Sequence, residues 1–354
     1  MLPFSISPEK AAQEVADLNR KFINGLPSLG EVGEVEVGCS EREAIYQEDK
    51  MVLYRFKPRV ENPHRVPVLV VYALVNRPYM ADLQEDRSMI RGLLDQGLDV
   101  YLIDWGYPDR SDKFINLDDY INGYIHRSVE AICERHGLFR INVLGICQGG
   151  SFSLCYSAMH PERVRNLVVT VTPVDFQTPD NLLSHWAQKL DVDLMVDAMG
   201  NIPGDLLNVT FASMRSAPST GKKYLDMIDI LEDKKKLTNF LRMEKWVADS
   251  PDQAGEAFCQ FIKDFYQKNG LVNGGIKIGD KTVDLKNLTM PVLNVYATKD
   301  HLVPPAASLA LKNLVGSEDY SELPFSGGHI GLYVSSRAQK EVPPGIADWI
   351  KKRG

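Results

Sequence analysis

Nowhere in the 354 residues does an uninterrupted apolar stretch approach the ~20 residues that a membrane-crossing helix needs. Cysteine is sparse. Cys39, Cys133, Cys147, Cys155 and Cys259 stand far apart, with no CxxC pair and an odd count, which argues against a disulfide framework or a zinc site and for reduced thiols in a cytoplasmic compartment. Met1 to Leu26 carries charges throughout and lacks an apolar core segment, so no secretory signal is expected there. An excess of positive charge is also missing: 40 Lys and Arg against 47 Asp and Glu leave a net charge of −7. That excludes nucleic acid as a general partner, but not an anionic small substrate held by a few local basic residues. No internal repeat or low-complexity tract is present. Hydrophobic and charged contents of 44% and 25% then leave an ordinary globular chain, long enough for one large domain with an insertion or for two domains.

What is present is a rhythm of short apolar runs. Residues 1–50 read as an amphipathic helical lead followed by a Gly/Glu/Val-rich passage. From Met51 strands are expected at Val52–Phe56, Pro67–Leu74, Asp99–Gly106, Ile141–Ile146 and Val164–Val171, the second of them fully apolar as parallel-sheet interiors require. Helices are expected between them, at Ser88–Gln96 (closed by Gly97) and at about Leu117–His136. This alternation predicts a doubly wound, mostly parallel sheet. It breaks between Asp175 and about Asp284, where helical spacing (Leu237–Val247, Ala254–Tyr266) and a short hairpin, Ile276–Val283, replace buried strands. Sheet rhythm returns at Met290–Ala297. The expected organisation is a core of residues 1–174 and 285–354, with a largely helical cap of residues 175–284 over the C-terminal edge of the sheet, where such folds place ligands.

The most informative segment is Val143-Leu144-Gly145-Ile146-Cys147-Gln148-Gly149-Gly150. A buried strand leads into it and a helical pattern follows, so Cys147 falls on a strand–turn–helix with glycines on both sides, the nucleophile elbow of α/β-hydrolases with sulfur in place of the usual oxygen. The helix start offers a positive dipole and free N–H groups that favour a thiolate. A cysteine nucleophile needs a base and the base needs an orienting acid. Ser326-Gly327-Gly328-His329 and Thr298-Lys299-Asp300 supply them in the nucleophile–acid–histidine order of that fold. His301 adjoins the acid and is set aside because adjacent side chains diverge. His160, in a helix-to-strand connection, is expected at the surface. Asp104 and Asp175 also end strands and are read as either substrate contacts or helix caps. Two backbone N–H groups should hold the oxyanion: that of Gln148, and one from the loop after the apolar strand, with Val75 the first choice and Asn76 the second. No residues for substrate binding beyond these are assigned, and no metal site is expected.

With these residues in hand, the chain resembles the catalytic subunit of polyhydroxyalkanoate synthases, of the short class III type. The resemblance rests on Gly145–Gly150, on Tyr72–Tyr79, on Asp104-Trp105-Gly106, on Gly200-Asn201-Ile202-Pro203, on Lys299-Asp300-His301 and on Gly327-Gly328-His329. It covers nearly the whole chain. Cys147, Asp300 and His329 match the family's catalytic triad position by position. The resemblance implies an α/β-hydrolase fold and the polymerisation of (R)-3-hydroxyacyl-CoA, chiefly 3-hydroxybutyryl-CoA, to a polyester with release of coenzyme A. It implies no cofactor, coenzyme A being a product of the acyl-CoA substrate. It further implies a companion E-type subunit, a homo-oligomer, and a cytoplasmic location at polymer granules. The cysteine suits this chemistry, since exchange between two thioesters keeps the acyl group activated. A cysteine-dependent hydrolase of small esters or lactones, and a non-catalytic granule scaffold, are the competing readings. Whether His329 or Asp300 activates the attacking 3-hydroxyl stays open at this level.

Overall fold

A computed structural model describes residues 8–214 and 225–354 of the protein. The apolar runs form the middle of an eight-stranded sheet. In chain order its strands are β1 (Arg42–Glu48), β2 (Met51–Phe56), β3 (Val68–Val71), β4 (Val100–Asp104), β5 (Ile141–Ile146), β6 (Val164–Thr170), β7 (Val292–Ala297) and β8 (Tyr320–Phe325). They lie side by side as β1-β2-β4-β3-β5-β6-β7-β8. β2 is antiparallel to both its neighbours, and from β4 to β8 every pair is parallel. Every residue of β3, β4 and β5 is buried, as strands shielded on both faces must be. This is the α/β-hydrolase architecture expected from the sequence.

The order of the strands places the chemistry. The chain moves from β3 to β4 on one side, then crosses back to β5 on the other, so the loops leaving β3 and β5 open a crevice at the reversal. Val71, the last residue of β3, is in register with Gly145, next to last in β5. The residues around Val75 and Cys147 therefore emerge beside each other. Between the strands, helix α2 (Met89–Asp95) starts where Ser88 Oγ accepts the Arg91 N–H at 2.8 Å and is followed by Gly97 at φ +77°. The expected helix over 117–136 is in fact π-helical turns at Asp119–Ile125 running into α3 (His126–His136). Helix α4 (Gln148–Met159) follows the elbow.

Contacts gather the chain into two compact units. The larger consists of Gly38–Leu207 and Ser250–Gly354 and holds the sheet; the smaller combines residues up to Val37 with Asn208–Asp249. Of the 175–284 segment read from the sequence as one cap, residues 175–207 and 250–284 thus group with the sheet, and 208–249 with the N-terminal lead. Within the smaller unit, α1 (Pro8–Val32) lies against the helix Lys234–Ala248. Lys21 Nζ meets Asp229 Oδ1 at 2.6 Å, and Lys245 Nζ donates to Val35 O at 2.9 Å. Within the larger unit, the helix Gly255–Gln260 continues as π-helical turns at Phe261–Gln267. Its aromatic rings pack on Phe152 of α4 and on Phe176: Phe152–Phe261 at 5.8 Å, Phe176–Tyr266 at 4.7 Å and Phe261–Phe265 at 4.7 Å between ring centroids. Such pairs each add about 0.5–1.5 kcal/mol beyond the area they bury, and they fix the segment 261–267 against the elbow helix. No described helix is long and apolar enough to cross a membrane.

Candidate active site

Cys147 is the N-cap of α4, with φ 54° and ψ −121°. A non-glycine residue there costs on the order of 1–3 kcal/mol and persists only where its surroundings hold it. They do so at both ends of the residue. Cys147 N–H donates to Thr170 O at 2.9 Å, and Cys147 O accepts from Gly150 N at 2.9 Å and Ser151 N at 3.3 Å. The flanking glycines are required by contact. A β-carbon on Gly149 would stand 2.3 Å from Val71 O, and one on Gly150 would stand 1.8 Å from Thr172 Oγ1. The thiol is thereby turned out of the sheet edge and is partly accessible, whereas Cys133, Cys155 and Cys259 are buried.

The base and the acid come from the loops after β8 and β7. These loops are laced together: Thr298 N donates to Phe325 O at 2.8 Å and Lys299 N to Gly327 O at 2.9 Å. His329 Nδ1 lies 2.7 Å from Asp300 Oδ2, the two side chains being 10% and 1% exposed. Asp300 Oδ1 accepts the backbone N–H groups of Leu302 and Val303, both at 2.9 Å, so both carboxylate oxygens are engaged. With Nδ1 committed to Asp300, Nε2 of His329 is the nitrogen left for other partners, and the Cys147 side chain is close enough to act on the ring electrostatically. Burial pushes the imidazole pKa down. The Cys147 charge and the hydrogen bond to Asp300 outweigh that penalty and raise it to about 10. The structure therefore brings the three residues singled out from the sequence together.

Gln148 acts on the other side of the thiol. Its Oε1 accepts the Leu74 N–H at 3.0 Å, and Gln253 Nε2 donates to Leu74 O at 2.7 Å, which clamps the residue before Val75 from both sides. Among the described residues neither the Val75 nor the Gln148 N–H has an acceptor. Gln148 follows Cys147 directly, and Val75 follows the clamped Leu74. Asn76, the second choice, has φ 57°, and its side chain is bonded to Ser250 Oγ.

Two side chains that sequence reasoning missed complete the surroundings. Tyr266, from the aromatic segment, and Tyr333, from the short helix Gly331–Val334, both have their hydroxyl pKa raised, first by burial and then, among the causes, by the Cys147 charge. The Phe261, Phe265, Tyr266 spacing is a signal that could have found the first. Nothing local marks the second. Asp104 and Asp175 are each held by other partners. Asp104 pairs with Arg77 at 2.8 Å and accepts Gly106 N at 3.1 Å, and Asp175 Oδ1 accepts from Gln177 N and Asn269 Nδ2, both at 2.9 Å. His301 is exposed.

His160 corrects an expectation, for it is not a surface residue. Its side chain is 13% exposed, stacked on Tyr156 at 5.0 Å and on His126 at 4.6 Å, with Nε2 2.8 Å from Asn122 Oδ1. The rings of Tyr156 and His126 and the Asn122 side chain, on the π-helical segment, cover most of it. Burial, and then the charges of Lys281 and His126, push its pKa down to about 4. Among the described residues, no group of three His, Cys, Asp or Glu side chains is placed to hold a metal ion.

Comparison with known proteins agrees with this geometry. Residues 66–336 match the family model of the alpha/beta hydrolase fold, and residues 24–93 match that of the poly-beta-hydroxybutyrate polymerase (PhaC) N-terminus. The chain is 60% identical to the poly(3-hydroxyalkanoate) polymerase subunit PhaC of Allochromatium vinosum, over all of both chains. It is 54% identical to the protein of that name from Synechocystis sp., over all of this chain and 96% of the relative. Among solved structures, a monoacylglycerol lipase from Paleococcus ferrophilus superposes with a TM-score of 0.51 at 18% identity, covering 85% of this chain and 99% of the lipase. That last likeness concerns the fold.

Proposed function

The chain belongs to the PhaC family of poly(3-hydroxyalkanoate) polymerases, which are acyltransferases, and we propose that it polymerises (R)-3-hydroxyacyl-CoA, chiefly 3-hydroxybutyryl-CoA, through a thioester on Cys147. The observation that carries this reading is the strained elbow at Cys147 together with the buried His329–Asp300 pair, on which the Cys147 side chain acts electrostatically. In the first half-reaction His329 Nε2 takes the Cys147 proton. The thiolate attacks the acyl-CoA carbonyl, the oxyanion rests on the N–H groups of Gln148 and Val75, and coenzyme A leaves with the proton returned by His329. One thioester replaces another, so the acyl group stays activated. In the second, a 3-hydroxyl attacks the acyl-Cys147 carbonyl, the new ester bond forms as the C–S bond breaks, and the hydroxyl proton passes through His329 to the sulfur.

The satisfied state of Asp300 supports His329 as the base in both steps. Both of its oxygens already accept hydrogen bonds, and it is 1% exposed, so its role is to hold the imidazole tautomer and stabilise the imidazolium. The aromatic segment packed on α4 supports elongation over hydrolysis by keeping water from the acyl-enzyme. The family resemblance carries the remaining parts of the reading: no cofactor, a companion E-type subunit, a homo-oligomer, and work at cytoplasmic polymer granules.

Incubating the protein with 3-hydroxybutyryl-CoA, with and without a candidate companion subunit, tests this. Polyester and free coenzyme A are expected; free 3-hydroxybutyrate without polymer would make the protein a thioesterase. Cys147→Ala is expected to make no polymer, and polymer formed by that variant would overturn the assignment of the nucleophile.

A further inference from the structure

Thr170 and Tyr333 form a link that the triad does not use. Tyr333 stands four residues after His329 and is 2% exposed. Its hydroxyl lies 2.9 Å from Thr170 Oγ1. Thr170 Oγ1 also donates to Gly145 O at 3.3 Å, which commits the only proton of that hydroxyl, so between the two hydroxyls Tyr333 is the donor. Gly145 lies two residues before Cys147. The main chain of the same threonine accepts the Cys147 N–H at 2.9 Å. On its other side, Tyr333 O accepts from Gln339 Nε2 at 2.6 Å, which holds the tyrosine to the C-terminal helix Ser336–Lys351.

The topology gives this link a purpose. The nucleophile leaves β5, while the base follows β8, three strands away in the sheet. Other hydrogen bonds of the His329 loop run to the Asp300 loop after β7 and to the C-terminal helix, and among the described residues the Thr170–Tyr333 bond is the one that leads from it to the β5 and β6 strand ends. A phenylalanine would fill the same buried volume, and Thr170 already has Gly145 O as an acceptor, so packing alone does not call for the phenol hydroxyl. A buried hydroxyl is kept where it has a partner to hold.

We propose that Tyr333 is a positioning residue, whose hydroxyl ties the His329 loop through Thr170 to the strand end that holds the strained Cys147 backbone. The tie fixes the distance between sulfur and imidazole across the sheet before substrate arrives, as preorganised sites require. The inference rests on the proposed pairing of Cys147 with His329.

The test compares Tyr333→Phe, Thr170→Val and Thr170→Ser in the full-length protein. One readout is the rate of iodoacetamide alkylation at Cys147 against pH, followed on the Cys147 peptide by mass spectrometry so that the exposed Cys39 does not interfere. The other is kcat and KM for coenzyme A release. Tyr333→Phe is expected to move the alkylation midpoint up by about one pH unit, the scale of a single lost hydrogen bond, and to lower kcat with KM unchanged. Thr170→Val should do the same, Thr170→Ser should keep the wild-type midpoint, and Tyr333→Phe combined with Thr170→Val should shift it no further than either alone. An unshifted midpoint in Tyr333→Phe would overturn the inference even if kcat fell, because a packing defect lowers activity without changing the titration. Polymer formation by Cys147→Ala would overturn the underlying reading instead, so the two failures are distinct.

Discussion

The two ends of helix α4 each carry a histidine centre, and burial acts on both in the same direction. At the N-terminal end, His329 faces Cys147 and Asp300; at the C-terminal end, His160 stacks on both His126 and Tyr156. One imidazole pKa is raised to about 10 and the other lowered to about 4. The helix dipole cannot be the cause, since its negative end would favour a protonated His160. The difference is the charge that each ring meets. The anionic neighbours of His329 favour the charged ring, while Lys281 and a second histidine beside His160 disfavour it. Burial therefore amplifies whichever partner the fold supplies. The same helix thus presents a reactive end and an inert one.

Removing the base breaks the comparison most severely. His329→Gln is expected to lower the polymerisation rate by about 10²–10⁴-fold, the range for loss of a general base, measured as coenzyme A release. Asp300→Asn should follow, with acylation of Cys147 and chain elongation falling together, because the same imidazole serves both. Acyl-enzyme trapped by rapid quench and intact-mass analysis separates the steps, and a loss confined to elongation would move the second proton transfer to Asp300. Next come the pH effects, which should have opposite signs. His329 is raised in the folded state, so its contribution to stability is complete below pH 6.5 and is lost as the pH rises toward about 10. His160 is depressed, so the folded state resists its protonation and stability falls as the pH drops from 6.5 toward about 4. Melting temperatures of the wild type and His329→Gln at alkaline pH, and of the wild type and His160→Gln at acid pH, check the two signs. The smallest effect is expected for His160→Gln, which should flatten the acid limb without altering activity at neutral pH. An acid limb identical to that of the wild type would remove His160 from the account.

The inner sheet and the triad were legible in the sequence because each carries a local signature. β3 and β5 are largely apolar runs, and Cys147 sits between glycines that contact forces on the chain. The sheet edges were not. β1 is an edge strand with mostly exposed or half-exposed residues, and β8 reads Tyr-Ser-Glu-Leu-Pro-Phe, with a proline that only an edge position tolerates. The C-terminal helix Ser336–Lys351 was hidden by Pro343 and Pro344, which lie inside it. Pro343 instead packs closely on Gly92 of α2, where a β-carbon would stand 2.7 Å from its ring. His160, Tyr266 and Tyr333 depend on elements distant in the chain. Their neighbours are set by how α4, the 261–267 segment and the His329 loop meet, and no nearby residue announces that.

Gln148 has a consequence for selectivity among acyl groups. In the proposed oxyanion pocket its main-chain N–H is one donor, while its side chain accepts the N–H of Leu74, the residue before the other proposed donor. One residue therefore supplies one jaw of the pocket and sets the gap to the other, like the screw of a calliper. The length of the glutamine side chain becomes a gauge for the carbonyl that fits, and a shorter side chain at 148 would change the aperture without touching the nucleophile, the base or the acid.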